Sequence, residues 1–154
     1  MAELKEGDQA PAITSKDQNG IDVSLSDYKG KTVVLYFYPK DDTPGCTAEA
    51  CDFRDNYQGL QAKGIVVLGV SVDDEKSHHK FVTKHNLPFT LLADTDQKIV
   101  NDYGVWAEKN MYGKKYMGTV RTTFIIDGDG KIIRIIKKVD TKNPTQQVLN
   151  LINN

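Results

Sequence analysis

The chain has 154 residues, of which 20 are basic and 21 acidic, for a formal net charge of −1. This length predicts one domain, residues 1–154, with a hydrophobic core of its own. The near-zero charge gives no electrostatic basis for binding nucleic acid or an anionic membrane, and no apolar stretch is long enough to span a bilayer. The first residues, Met1 to Glu6, carry no apolar h-region, so no signal peptide is expected. Two cysteines are too few for a secreted disulfide scaffold. A reducing cytoplasm is the expected compartment, and a disulfide formed there is transient and catalytic.

No internal repeat, low-complexity segment or inter-domain linker is evident. In chain order, Asp17-Gln18-Asn19-Gly20 is a hairpin turn signal, followed by the strand-like alternation Ile21, Val23, Leu25. Thr32 to Tyr38 is almost continuously apolar and rich in β-formers, as in a central strand covered on both faces. From Thr47 to Lys63 the pattern turns helical, with Ala50, Phe53, Tyr57 and Leu60 on one stripe and Gly64 as its cap. Ile65 to Val72 reads as a second strand. Glu75 to His85 reads as a helix with Phe81 and Val82 inward, Phe89 to Ala93 as a strand, and Lys98 to Tyr103 as a short helix stopped by Gly104. Thr122–Ile126 and Lys131–Ile136 flank Asp127-Gly128-Asp129-Gly130 as two strands of a hairpin, and Pro144 opens a terminal helix. A βαβ unit followed by ββα is the thioredoxin topology. The predicted class is therefore α/β: a thioredoxin-like fold with a mixed central sheet flanked by helices and an added N-terminal hairpin.

The chemistry concentrates in Pro39-Lys40-Asp41-Asp42-Thr43-Pro44-Gly45-Cys46-Thr47-Ala48-Glu49-Ala50-Cys51, which holds both cysteines of the chain. Cys46 falls where a strand ends and a helix begins. There the free amides of the first turn and the helix dipole favour a thiolate. Cys51 is five residues on; on one ideal helix the pair is about 8.6 Å apart at Cα and about 140° apart around the axis. A disulfide needs about 7 Å or less. The pair is thus either two independent thiols or a switch coupling oxidation to local unwinding. His78, His79 and His85 match no structural zinc spacing and are expected to face solvent or cap a helix. Asp127 to Gly130 lacks the closing glutamate of a calcium loop. Trp106, Met111, Tyr112, Tyr116 and Met117 are expected to pack in the core, with part of the stretch available to line a pocket near Arg121.

Pro39, Thr43 and Cys46 reproduce the Pro-x-x-x-Thr-x-x-Cys signature of the peroxiredoxins. The run Thr43 to Cys51 resembles the bacterioferritin comigratory protein or peroxiredoxin Q subfamily. Further matches are Gly7 to Pro11, Gly69 to Asp73, Leu87 to Asp94, Tyr103 to Trp106 and Arg121 to Asp127, so the likeness runs from about residue 5 to 152. Ala12-Ile13 departs from the acidic and aromatic residues common there. The resemblance implies a cofactor-free, metal-free thiol peroxidase acting on hydrogen peroxide and organic hydroperoxides. It implies Cys46 as the peroxidatic cysteine, Cys51 as the resolving cysteine in an intramolecular disulfide, and a pocket of Thr43, Pro39 and Arg121. Gly45 would add backbone donors and Glu49 would orient Arg121. It also implies thioredoxin, or a glutaredoxin, as reductant; a monomer is expected because no exposed apolar element demands a partner. Two rivals stay open. A general thiol-disulfide oxidoreductase would need Cys-x-x-Cys, and a redox sensor or holdase would not need Thr43 and Arg121.

Overall fold

The computed structural model describes residues 3–152. Its elements begin with β1 (Thr14–Lys16), β2 (Asp22–Ser24), β3 (Thr32–Phe37), α1 (Pro44–Ala62) and β4 (Ile65–Ser71). Next come α2 (Glu75–His85), β5 (Thr90–Ala93), α3 (Lys98–Asp102), β6 (Trp106–Met111) and β7 (Lys114–Thr119). The chain closes with β8 (Thr122–Ile126), β9 (Ile132–Ile136) and α4 (Pro144–Ile152). Five strands form one sheet in the order β5-β4-β3-β8-β9. β3 pairs in parallel with β4, as β4 does with β5, while β8 runs antiparallel to β3 and to β9. This is the thioredoxin-like architecture, with the β1–β2 hairpin added ahead of it. Among the described residues no helix is long and apolar enough to cross a membrane.

β3 explains the layering. Its residues are buried from Val33 onward, and alternate side chains leave opposite faces of the sheet. Val34, Tyr36 and Tyr38 join one core with Cys46, Ala50, Phe53, Tyr57 and Leu60 of α1, Phe81 of α2 and Val148 of α4. Val33, Leu35 and Phe37 join another with Ile13, Val23, Ile99, Val100 and Tyr103, under α3 and the N-terminal hairpin. The apolar stripe of α1 thus continues back to Cys46, which fixes that thiol on the buried side of the helix.

Three expectations need correction. In the N-terminal hairpin only Val23 of the alternating set is buried. Ile21 is 61% exposed and Leu25 starts a short 3-10 turn, because Asp17 Oδ1 takes the amides of Asn19 and Ile21 and places Ile21 in the turn. Met111, Tyr112, Tyr116 and Met117 are exposed, not core. They belong to the β6–β7 ribbon, which among the described residues pairs only with itself and closes through Tyr112 and Gly113, both at positive φ as a two-residue hairpin turn requires. His78 is wholly buried rather than solvent-facing.

Gly69 of β4 lies opposite Tyr36 of β3. A Cβ there would stand 2.7 Å from Leu91 Cδ2 and 2.9 Å from Tyr36 Cζ, and both side chains are fully buried. Gly69→Ala is expected to lower stability by about 1–3 kcal/mol through overpacking; urea denaturation of the two proteins measures it.

Candidate active site

Thr43 precedes α1 in extended conformation (φ −93°, ψ 156°), and Pro44 occupies the first helical position, where its missing amide and fixed φ are an advantage. The first bond of the helix runs from the Thr47 amide to the Thr43 carbonyl at 2.8 Å. The amides of Gly45 and Cys46 therefore project from the helix end with no carbonyl inside the helix to bond. The Thr43 hydroxyl donates to the Lys40 carbonyl at 2.9 Å, which leaves its oxygen free to accept. Pro39 is half-buried at the end of β3, just ahead of this loop.

Cys46 is 1% exposed and Cys51 half-buried, and both are free thiols. Arg121, between β7 and β8, reaches the Cys46 sulfur from the connection that enters the sheet: its Nη2 donates to Sγ at 3.1 Å, while Nη1 donates to Glu49 Oε1 at 2.7 Å. Glu49 is completely buried one turn beyond Cys46 on the same face of α1. Among the described residues its Oε2 has no hydrogen-bond partner, and neither has the buried Tyr36 hydroxyl. Burial therefore pushes the Glu49 carboxyl up to about 7, against the charge and hydrogen bond of Arg121, which pull it down. Arg121 loses solvation too, but its bonds to Cys46 and Glu49 outweigh that loss and raise its already high pKa. A Cβ at Gly45 would be in van der Waals contact, at 3.4 Å, with Arg121 Nη2, so the guanidinium lies against the first turn of the helix.

The structure thus brings Cys46, Glu49, Arg121 and Gly45 together. Thr43 stands at the helix entrance with its hydroxyl turned to Lys40, and Cys51 stands further along the helix. Sequence reasoning missed three neighbours. Lys109 on β6 is held below the usual lysine range by burial first and by Arg121 second, with Cys46 opposing. Tyr36 is raised well above the usual phenol by burial, then by the charges of Glu49 and Cys46. Thr141 Cγ2 lies 3.9 Å from the Gly45 Cβ position. Of these, only Tyr36 carried a usable signal, since even-numbered β3 positions must face α1.

Fold and geometry together define a thioredoxin-like protein equipped for thiol chemistry at the start of α1. The AhpC/TSA family pattern matches residues 6–135. The peroxiredoxin Bcp of Bacillus subtilis strain 168 is 49% identical over 143 residues, covering 93% of this chain and 91% of that one. Its counterpart in Escherichia coli K12 is 45% identical over 150 residues, covering 97% and 96%. The crystal structure of a cysteine-to-serine PrxQ from Xylella fastidiosa superposes with a TM-score of 0.92 at 31% identity, covering 99% of this chain and 98% of that one. Xanthomonas campestris bacterioferritin comigratory protein, solved in a study of its alkyl peroxide reduction activity, gives 0.86 at 35% identity, over 92% and 90%. The chain belongs to the AhpC/TSA family and, within it, to the Bcp and peroxiredoxin Q group of thiol peroxidases.

The raised carboxyl of Glu49 makes stability depend on pH. A carboxyl near 7 folded and near 4.5 unfolded contributes stability that is complete below 4.5 and lost as pH rises through 7. Glu49→Gln removes that loss. Its stability relative to the native protein should rise by about 3 kcal/mol between pH 4 and pH 8, read as the difference of urea unfolding free energies at the two pH values.

Proposed function

We propose that the protein reduces hydrogen peroxide and organic hydroperoxides through Cys46, with Cys51 as resolving thiol. The observation that carries this reading is Arg121, bonded at once to the buried Cys46 sulfur and to Glu49. In the first step the Cys46 thiolate attacks one peroxide oxygen. The O–O bond breaks, RO⁻ leaves and takes up a proton, and Cys46 becomes a sulfenic acid. Charge spreads over both oxygens as that bond stretches. Arg121 and the amides of Gly45 and Cys46 supply donors already in place to meet it, while the Thr43 hydroxyl, its proton held by the Lys40 carbonyl, accepts a hydrogen bond from the peroxide O–H. Glu49 keeps the guanidinium fork aimed, and Pro39 shields the sulfur from water.

In the second step the Cys51 sulfur attacks the Cys46 sulfenic acid, forms the disulfide and releases water. Both cysteines belong to the unbroken helix Pro44–Ala62. Helix geometry separates them by more than a disulfide allows, so the first turns of α1 must unwind. An external dithiol protein then reduces the bond. Family resemblance points to thioredoxin as that dithiol, and the two-cysteine composition to a cytoplasmic setting. Organic hydroperoxides are included because the Xanthomonas relative is described by its alkyl peroxide reduction activity.

Stopped-flow reaction of the reduced protein with hydrogen peroxide, followed through Trp106 fluorescence, tests the reading. Cys46→Ser should abolish fast oxidation, and Arg121→Ala should slow it by about 10²–10³-fold, the usual effect of losing one donor to a developing oxyanion. Cys51→Ser should keep the first phase, stop at the sulfenic acid and lose turnover with thioredoxin. Fast oxidation that survives Arg121→Ala would contradict the proposed pocket.

A further inference from the structure

Asp41 and Asp42 lie between Pro39 and Thr43 and play no part in the chemistry above, yet α2 grips both. Asp41 is 8% exposed. Its Oδ1 accepts the Tyr38 hydroxyl at 2.6 Å, and its Oδ2 meets the Ser77 hydroxyl and His78 Nδ1, each at 2.7 Å. The Asp41 amide donates to Asp73 Oδ2 at 2.8 Å, which the Ser71 hydroxyl also holds. The second ring nitrogen of His78, Nε2, meets the Leu92 carbonyl at 2.9 Å. A carbonyl only accepts, so Nε2 carries a proton. One proton is shared between Nδ1 and Asp41 Oδ2, so the buried ring is held at both of its nitrogens.

Asp42 is exposed, in a left-handed conformation (φ 59°), and pairs with Lys84 Nζ at 2.7 Å and His85 Nε2 at 3.1 Å. Arg54, three residues beyond Cys51, donates to the His85 carbonyl at 2.8 Å. The stretch that must change shape between the two chemical steps is thus pinned to one helix at both ends. Because the Thr43 hydroxyl is bonded to the Lys40 carbonyl, Thr43 inherits the placement of Asp41.

We infer that Ser77, His78, Lys84 and His85 form a latch on Asp41 and Asp42 that holds the Thr43 loop and the first turns of α1 in the shape that meets peroxide, and so sets how fast they unwind to the disulfide. These are positioning residues, and the inference rests on the proposed cycle. The groups facing His78 are Asp41 and Tyr38 from β3 and its loop, Asp73 and Ser71 from the end of β4, the Leu92 carbonyl from β5, and Ser77 beside it. Burial acts against the charged ring, but the Asp41 hydrogen bond and charge, the Leu92 carbonyl and Asp73 outweigh it and hold its pKa above the ordinary histidine value. That contribution is complete below the unfolded value and is lost as pH rises through the folded one, so the latch loosens on the alkaline side.

The test resolves the two phases of the peroxide reaction in the full chain. Asp42→Asn tolerates the positive φ and sits at the surface, so folding is not at stake. It should speed the second phase roughly two- to fivefold, as expected for an exposed ion pair. His78→Gln should speed it about tenfold or more, as expected for a hydrogen-bonded buried charge. In both variants the first phase should slow, and mass spectrometry should find less sulfinic acid at high peroxide. Loss of folded protein alone would slow both phases; opposite movement of the two is the latch's signature. The native second phase should also approach that of His78→Gln as pH rises, since the thiol titrations are common to both. If the native protein forms the disulfide and neither variant unwinds faster, the latch is wrong and the cycle stands. If the native protein forms no Cys46–Cys51 disulfide, the cycle fails and the latch with it.

Discussion

Cys46 and Cys51 sit on one continuous helix, and an intact helix cannot let them bond. Other features of the molecule are arranged around this constraint. In the proposed cycle the helix start must be folded to meet peroxide, because only then do the unpaired amides of Gly45 and Cys46 stand at the helix end while Arg121 donates to the Cys46 sulfur. To form the proposed disulfide, the same turns must open. The site therefore has to be well made and also separable from the fold that carries it.

The fold satisfies both demands by dividing the work. Arg121 comes from the connection into β8 and Cys46 from the helix, so the thiol is held between two segments that need not move together. Glu49 joins them from inside the core, where its own charge is poorly solvated. Below Glu49, Phe53, Tyr57 and Leu60 anchor the rest of α1 against Tyr36 and its neighbours. Above it, the loop from Pro39 to Thr43 is held mainly by polar contacts to α2. Apolar packing changes little with a few lost contacts at its edge, whereas a small number of hydrogen bonds is a hold that one chemical event can release.

The legible parts of the chain were those in which neighbours in sequence decide the outcome. The stripe Ala50, Phe53, Tyr57, Leu60 and the runs forming β3, β4 and β8 follow from periodicity, and with them the thioredoxin-like order of elements. The pairing of Arg121 with Glu49 and Cys46 joins residues more than 70 apart, and only family resemblance suggested it. The burial of His78 could not be read from its helix, because its cause is Asp41, 37 positions earlier. The β6–β7 ribbon misled for a different reason. Its Met and Tyr residues have the composition of a core, but in a two-stranded ribbon outside the main sheet no described residue covers them. Gly113 flanked by alternating residues was the available sign of that turn.

The claim that the helix start is folded for one step and unwound for the next is tested most directly by amide hydrogen exchange. Peptides covering residues 44–51 would be compared between the reduced protein and the peroxide-oxidised disulfide form. The account predicts protected amides in the reduced protein and loss of that protection on oxidation, with residues 53–62 unchanged. A Cys46–Cys51 disulfide formed with protection of residues 44–51 intact would contradict it.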